Sequence, residues 1–254
     1  MTADPFSLTG RTAVVVGGTR GIGRAISMRL AQAGATVLAN YARDDSAAEA
    51  FANDARAAGL TMAVCRADVV MPKGLDALEE AAARLPGKPS ILVFSAATGV
   101  HKSIAELTTR HFDWTFNLNV RAFFELVRRF SPQMPAGSSI VAMSSQGAVQ
   151  AIPHYSMVGA SKGALESMAR HFAVELAPQG IRVNVLSPGT VLTDAWKVLP
   201  DAEHRLEEAA RRSPTGRLTT LDEVASAALF LCSDAASGIV GHTLVVDGGA
   251  RTVG

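Results

Sequence analysis

Short runs of β-branched residues alternate with longer amphipathic stretches along almost the whole chain, and this rhythm leaves few folds open. Residues 12–16 (TAVVV) form a continuous apolar run of strand length. From Gly21 to Ala33, the apolar residues Ile22, Ile26, Leu30 and Ala33 then recur at helical spacing. The same alternation predicts further strands at 36–41, 61–66, 90–94, 138–143, 182–186 and 243–246. Helices are predicted between them at 46–58, 73–84, 116–130, 156–177 and 221–232. Strands that read as unbroken Val, Ile and Leu are covered on both faces, and strand–helix alternation implies a parallel sheet. No linker, repeat or low-complexity tract divides residues 1–254. The expectation is one α/β domain built on a doubly wound parallel sheet with helices on both faces.

Composition removes several classes of function. Lys and Arg total 24 against 23 Asp and Glu, a net charge of +1. Nucleic acid and anionic membrane surfaces select for a marked basic excess, so neither is an expected partner. No apolar run approaches the roughly 20 residues of a membrane span. The polar start, Met1 to Thr9, does not read as a signal peptide. Cys65 and Cys232 lack CxxC spacing and sit in apolar runs, which reads as reduced core thiols and a cytoplasmic setting. His101, His111, His154, His171, His204 and His242 lack ligand spacing, so no metal site is expected.

The first strand runs directly into Gly17-Gly18-Thr19-Arg20-Gly21-Ile22-Gly23, which opens the first helix. Gly17 permits the turn, Gly21 lets the backbone approach a pyrophosphate, and Gly23 allows close helix–strand packing. The helix N-terminus then offers free N–H groups to the phosphates. The spacing is Gly-x3-Gly-x-Gly, and the third strand ends Arg66-Ala67-Asp68-Val69. With a chain of this length, these features resemble the short-chain dehydrogenase/reductase family, whose fold is of Rossmann type. One departure is Val16, where the family usually has Thr before the first glycine.

The resemblance implies a nicotinamide cofactor. It places the cofactor against Gly17, Thr19, Arg20, Gly21, Ile22 and Gly23 of the loop, and Asn40, Tyr41 and Arg43 after the second strand. The implied site continues through Asp68 and Val69, which face the adenine in the family, and Ser95, Ala96 and Ala97 after the fourth strand. Lys162, Pro188, Gly189, Val191 and Thr193 complete it. The second strand ends Ala39-Asn40-Tyr41-Ala42-Arg43, without the carboxylate that binds the ribose 2′-OH of NAD. Arg20 and Arg43 suit a 2′-phosphate clamp, so NADPH (NADP+) is the expected cofactor.

Only Tyr41 and Tyr155 are tyrosines. Tyr155 precedes Lys162 by seven residues, close to two helical turns, which would put both on one face. A phenol is a proton donor, and a nearby ammonium lowers its pKa toward working pH. In the family, the tyrosine usually stands four residues before the lysine, where this chain has Val158. The usual serine lies 17 residues before the lysine, and Ser145 stands there, so only the tyrosine is displaced.

A displaced tyrosine has a chemical reading. Ketone reduction delivers hydride to the carbon bonded to the oxygen that tyrosine protonates. Reduction of an α,β-unsaturated thioester delivers it to the β-carbon, three bonds from the oxygen that becomes an enolate. Tyr-x6-Lys is the spacing of enoyl-acyl-carrier-protein reductases. Residues 146–148, 151–155 and 158–166, with 96–100, 114–119 and 193–197, resemble the NADPH-dependent branch of that group. The family's Asn-Asn-Ala-Gly reads Phe94-Ser95-Ala96-Ala97 here.

The catalytic set implied is Tyr155, Lys162, Ser145 and Asn119, the last matching the family's anchor for a water chain to lysine. The expected activity is NADPH-dependent reduction of an enoyl thioester. Alternatives are a carbonyl reductase for a 3-oxoacyl or polyketide ketone, and a cofactor-binding protein without turnover. The long amphipathic stretch 192–218 reads as a substrate lid. Its Arg205, Arg211, Arg212 and Arg217 offer a docking face for an acidic acyl carrier protein, or are solvated helix charges. Ala160, Ala164, Ala169 and Ala173 suit close helix packing between subunits, and the resemblance implies a homotetramer or homodimer.

Overall fold

The computed structural model describes residues 4–194, 196 and 201–253. Seven strands form one parallel sheet: β1 (Thr12–Val16), β2 (Thr36–Tyr41), β3 (Met62–Arg66), β4 (Pro89–Phe94), β5 (Ser139–Met143), β6 (Arg182–Pro188) and β7 (Thr243–Val246). Their order is β3-β2-β1-β4-β5-β6-β7. The chain reverses its winding between β1 and β4, and open α/β sheets bind ligands at the strand carboxyl ends beside such a switch.

β1 shows why the sheet is buried on both faces. Val14 and Val16 pack with Phe94, Phe123, Phe130 and Leu165 on one side. Ala13 and Val15 pack with Ile26, Leu30, Val224 and Leu231 on the other. A period of two sends successive side chains to opposite layers, so a strand without polar residues requires two apolar partners.

The helices are α1 (Gly21–Gln32), α2 (Asp45–Ala57), α3 (Pro72–Ala83), α4 (Thr109–Phe116), α5 (Phe123–Phe130), α6 (Ser156–Leu176), α7 (Ala202–Arg212) and α8 (Leu221–Cys232). Asp44 caps α2 by accepting from the Ala47 N–H at 3.0 Å. Thr220 and Glu223 close a capping box on α8. The helix expected at 116–130 starts earlier, at Thr109. Its start signal is an unusual capping box, in which His111 Nδ1 replaces the customary Glu or Gln as acceptor of the Thr108 N–H.

Between α4 and α5 the backbone widens into a π-helical segment, Asn117–Ala122. Such bulges frequently mark functional sites. Two of the small residues expected at a subunit interface, Ala169 and Ala173, are instead buried inside the protomer against the sheet. Within the expected lid, residues 202–212 form α7, whereas Ala195 and Lys197 lie outside the described residues.

Candidate active site

The carboxyl ends of β1, β4, β5 and β6 bring the sequence-predicted residues to one edge. At the glycine loop, a Cβ on Gly17 would stand 2.9 Å from the Ala96 backbone, and Gly17 has φ +74°. A Cβ on Gly23 would collide with the Gly17 carbonyl. These glycines hold the loop flat against β4 and start α1 immediately behind it. The N-cap residue, Arg20, makes no side-chain capping bond, and the first turn of α1 carries no acid. The helix start therefore keeps its N–H groups and positive field for an incoming phosphate. Thr193, beyond β6, faces Gly21, with its Cγ2 3.7 Å from where a Cβ would stand. A flat glycine cradle and an uncapped helix start fit a dinucleotide pyrophosphate.

The end of β2 is engaged in several ways. Asn40 is buried and donates to the Cys65 and Ala67 carbonyls at 3.2 and 2.9 Å, tying β2 to the end of β3. Tyr41 Oη donates to Asp45 at 3.0 Å, and Arg66 pairs with the same carboxylate at 3.1 Å. Arg20 and Arg43 are both exposed, and Arg20 lies 3.9 Å from Asp44. Asp68 is exposed and accepts from the Val70 N–H, whereas Val69 is buried. Ser95 donates its N–H to the Val16 carbonyl, and Gly189 does the same to Val246, fixing both loops to the sheet. Val191 is bridged to Thr219.

Three consecutive residues at the end of β5 hold the candidate reacting groups. The Met143 carbonyl accepts from Lys162 Nζ at 2.8 Å. Ser144 Oγ donates to Glu166 Oε1 at 2.6 Å. Ser145 Oγ accepts from Tyr155 Oη at 3.4 Å. Lys162 is fully enclosed, and burial pushes its pKa down to about 8 against the opposing field of Glu166.

Tyr155 does not share a helical face with Lys162, as the spacing suggested. It is the N-cap of α6, with φ −113° and ψ 10°, and its ring reaches Ser145 by lying across Gly147. Its pKa is raised by burial and lowered in part by Ser145, rather than being depressed by the lysine. The position four before the lysine, Val158, is buried against Gly99, where a Cβ would collide with its side chain. Asn119 is buried in the π-helical segment. Its side chain accepts from the Thr98 N–H and donates to the Thr98 carbonyl and Ser161 Oγ, all at 2.9 Å.

The contacts that His101, His154 and Arg205 make around Tyr155 are not legible in the sequence, although Arg205 is expected on the lid. His101 meets the Tyr155 ring edge-on, with centroids 5.1 Å apart. Its pKa is lowered by burial, then by Arg205 and His154. Arg205 of α7 lies 3.5 Å from His101 Nδ1 and 5.6 Å over the Trp196 ring. His154 adopts φ +62°, and its carbonyl accepts from the Lys102 N–H, so the loop after β4 is tied to the loop before α6. No local spacing links these residues. Of the other lid arginines, Arg212 pairs with Glu208 and Arg217 with Glu223. Among the described residues no group of His, Cys, Asp and Glu has the makings of a metal site.

Comparison with known proteins places this geometry in context. A family profile described as Enoyl-(Acyl carrier protein) reductase matches residues 16–251. The chain is 35% identical to 1-cyclohexenylcarbonyl-CoA reductase of Streptomyces collinus over 96% of this chain and 88% of that protein. It is 34% identical to 7alpha-hydroxysteroid dehydrogenase of Escherichia coli, over 97% and 96% of the two chains. Among solved structures, a putative NAD(P)-dependent gluconate 5-dehydrogenase from Beutenbergia cavernae with bound NADP is similar, with a TM-score of 0.91. That structure is 34% identical, covering 98% of this chain and 100% of the other.

Proposed function

The chain belongs to the short-chain dehydrogenase/reductase family and is an NAD(P)-dependent oxidoreductase, and within that family we propose that it uses NADPH to reduce the C=C bond of an enoyl thioester. The observation that carries this reading is the placement of Tyr155, the tyrosine beside Ser145. Tyr155 stands ahead of α6, while Val158 fills the position four residues before Lys162 and is sealed against Gly99. Support comes from the relative named 1-cyclohexenylcarbonyl-CoA reductase, whose named substrate carries a C=C bond, and from the family profile.

When bound, the nicotinamide supplies the hydride. The glycine cradle at 17–23 and the start of α1 hold the pyrophosphate, and Arg20 and Arg43 provide the charge for a 2′-phosphate. Lys162, whose Nζ donates to the Met143 carbonyl, would hold the ribose hydroxyls. The Tyr155 hydroxyl donates to the thioester oxygen and stabilises the enolate charge that develops there. Ser145 orients that hydroxyl. Arg205 of α7 meets His101 of the loop after β4 beside Tyr155, where the acyl chain would enter.

Carbonyl reduction is the second reading, favoured by the 3.4 Å contact between Tyr155 and Ser145, which sets a proton donor and a hydroxyl on one oxygen-sized position. The dehydrogenases among the relatives agree with it. NADPH oxidation assayed in parallel with crotonyl and acetoacetyl thioesters separates the two. Oxidation with crotonyl thioester alone is the expected result, and oxidation with acetoacetyl thioester alone overturns the primary reading.

The proposal extends to assembly and partners. Phe112 and Trp114 on α4 and Phe124 on α5 are exposed apolar side chains that assembly into a homotetramer would cover. Of the lid arginines, Arg211 is exposed and stands outside the ion pairs that occupy Arg212 and Arg217, so an acidic acyl carrier would meet α7 there. Light scattering checks the first point, and competition of carrier-bound with free thioester checks the second. Among the described residues no helix is long and apolar enough to cross a membrane.

A further inference from the structure

We propose that Glu166 is a positioning residue: from one turn beyond Lys162 it keeps that lysine charged and clasps the end of β5 to α6. The inference rests on Lys162 being the lysine that binds the cofactor.

Glu166 is buried, at 5% exposure, and no step described above uses it. Among the described residues its one hydrogen-bond donor is Ser144 Oγ at 2.6 Å. A carboxylate removed from water with a single hydroxyl for company is unfavourable unless a cation shares its surroundings. Four residues apart on a helix, Lys162 and Glu166 lie on one face, and Lys162 is itself almost fully buried. Each charge therefore makes the other tolerable.

The mechanical part of the role follows from β5. Ser144 donates its N–H to the Leu186 carbonyl at 2.8 Å, so it is anchored to β6 while its side chain holds Glu166. Its neighbours Met143 and Ser145 hold Lys162 and Tyr155. Glu166 is the middle of three bonds that set the strand end against the catalytic helix. Displacing it shifts the Lys162 and Tyr155 anchors together.

The electrostatic part is specific. Around Lys162, β5 presents a carbonyl and two hydroxyls, and the π-helical segment presents Asn119, already bonded to Thr98 and Ser161. β6, packed on α6, contributes Val183 and Val185 to the apolar layer they share, α4 carries Arg110, His111 and Asp113, and the N-cap presents the Tyr155 phenol, backed by His101 and Arg205. Glu166 is the charged group whose field acts on the ammonium, and it opposes the burial that brings the lysine to about 8.

The test is Glu166→Gln, which retains an oxygen for Ser144 and removes only the charge. NADPH binding, followed by cofactor fluorescence without substrate, is measured across pH for the parent, for this variant and for Lys162→Met. In the parent, affinity should fall as pH rises through about 8. In Glu166→Gln that fall should come about one pH unit lower, with near-parental affinity at acid pH. Should the variant fail to fold, Glu166→Asp, which keeps the charge one methylene further back, should move the fall the same way by less. An unmoved fall in whichever variant folds, with only a lower Tm, makes Glu166 a packing residue and overturns the proposal. If Lys162→Met keeps the parental profile, it is the assignment of Lys162 that fails. Because no substrate is present, neither result depends on whether C=C or C=O is reduced.

Discussion

Tyr155 lies against Gly147 so closely that a Cβ there would stand 2.5 Å from the tyrosine ring. The missing side chain at 147 lets the phenol cross from the start of α6 to the Ser145 hydroxyl at the end of β5. The reach of the tyrosine therefore depends on a residue that takes no part in the chemistry.

Gly147→Ala should displace the ring while leaving the cofactor cradle intact. A misplacement near 1 Å costs roughly a hundredfold in rate. Steady-state kinetics should show kcat lowered by about that factor, with the KM for NADPH unchanged.

Tyr155→Phe should lower turnover by roughly 10² to 10⁴, the usual contribution of a positioned acid, without weakening NADPH binding. Adding Val158→Tyr to that variant restores the family's ordinary spacing on paper. It should not restore activity, because Val158 is buried against the Gly99 backbone and leaves no room for a phenol. Recovery of turnover in the double variant would mean that the ordinary position is open after all.

The pH response follows from Lys162. Its folded pKa of about 8 lies below the ordinary lysine value, so the cation proposed to bind the ribose is lost, and turnover should fall, as pH rises through about 8. Stability moves the opposite way. Above that pH the unfolded lysine still binds a proton that the folded one has released, so unfolding becomes less favourable as pH rises toward about 10.4, by up to about 3 kcal/mol. Thermal melts should show the parent gaining on Lys162→Met across that interval.

Arg20→Ala with Arg43→Ala should raise the KM for NADPH by about one to two orders of magnitude, the scale of a lost charge-assisted phosphate contact. The KM for NADH should change little. Equal losses for both cofactors would place the 2′-phosphate elsewhere.

The cap of α8 titrates in acid. Arg217, then Thr220, hold Glu223 down at about 2, below the ordinary carboxylate range. Its contribution is present above about pH 4.3 and lost as pH falls through the folded value. Thr220→Ala should cost about 1 kcal/mol at neutral pH, read by denaturant unfolding, and less than that at pH near 2.

Where the sequence carried a local period or a local motif, the structure agrees closely. β1, β2, β7 and α8 fall on their expected residues, because an unbroken apolar run or a capping box is decided by neighbours in the chain. The glycine loop was legible for the same reason. The start of α4 was not, since its capping acceptor is His111, and neither was the π-helical widening, which places Asn119 on Thr98 and Ser161.

The sequence by itself determined a parallel α/β sheet, a glycine loop between β1 and α1, and a lysine with a serine at family spacing and a displaced tyrosine. Only the tertiary structure decided how that tyrosine is used. It stands outside the helix and reaches Ser145 over Gly147, with His101 against its ring and Arg205 of α7 behind His101, while Glu166 bonds the neighbouring Ser144. The reason is geometric. Parallel strands deliver residues far apart in the chain to one common edge, and the contacts made there leave no period in the sequence to read.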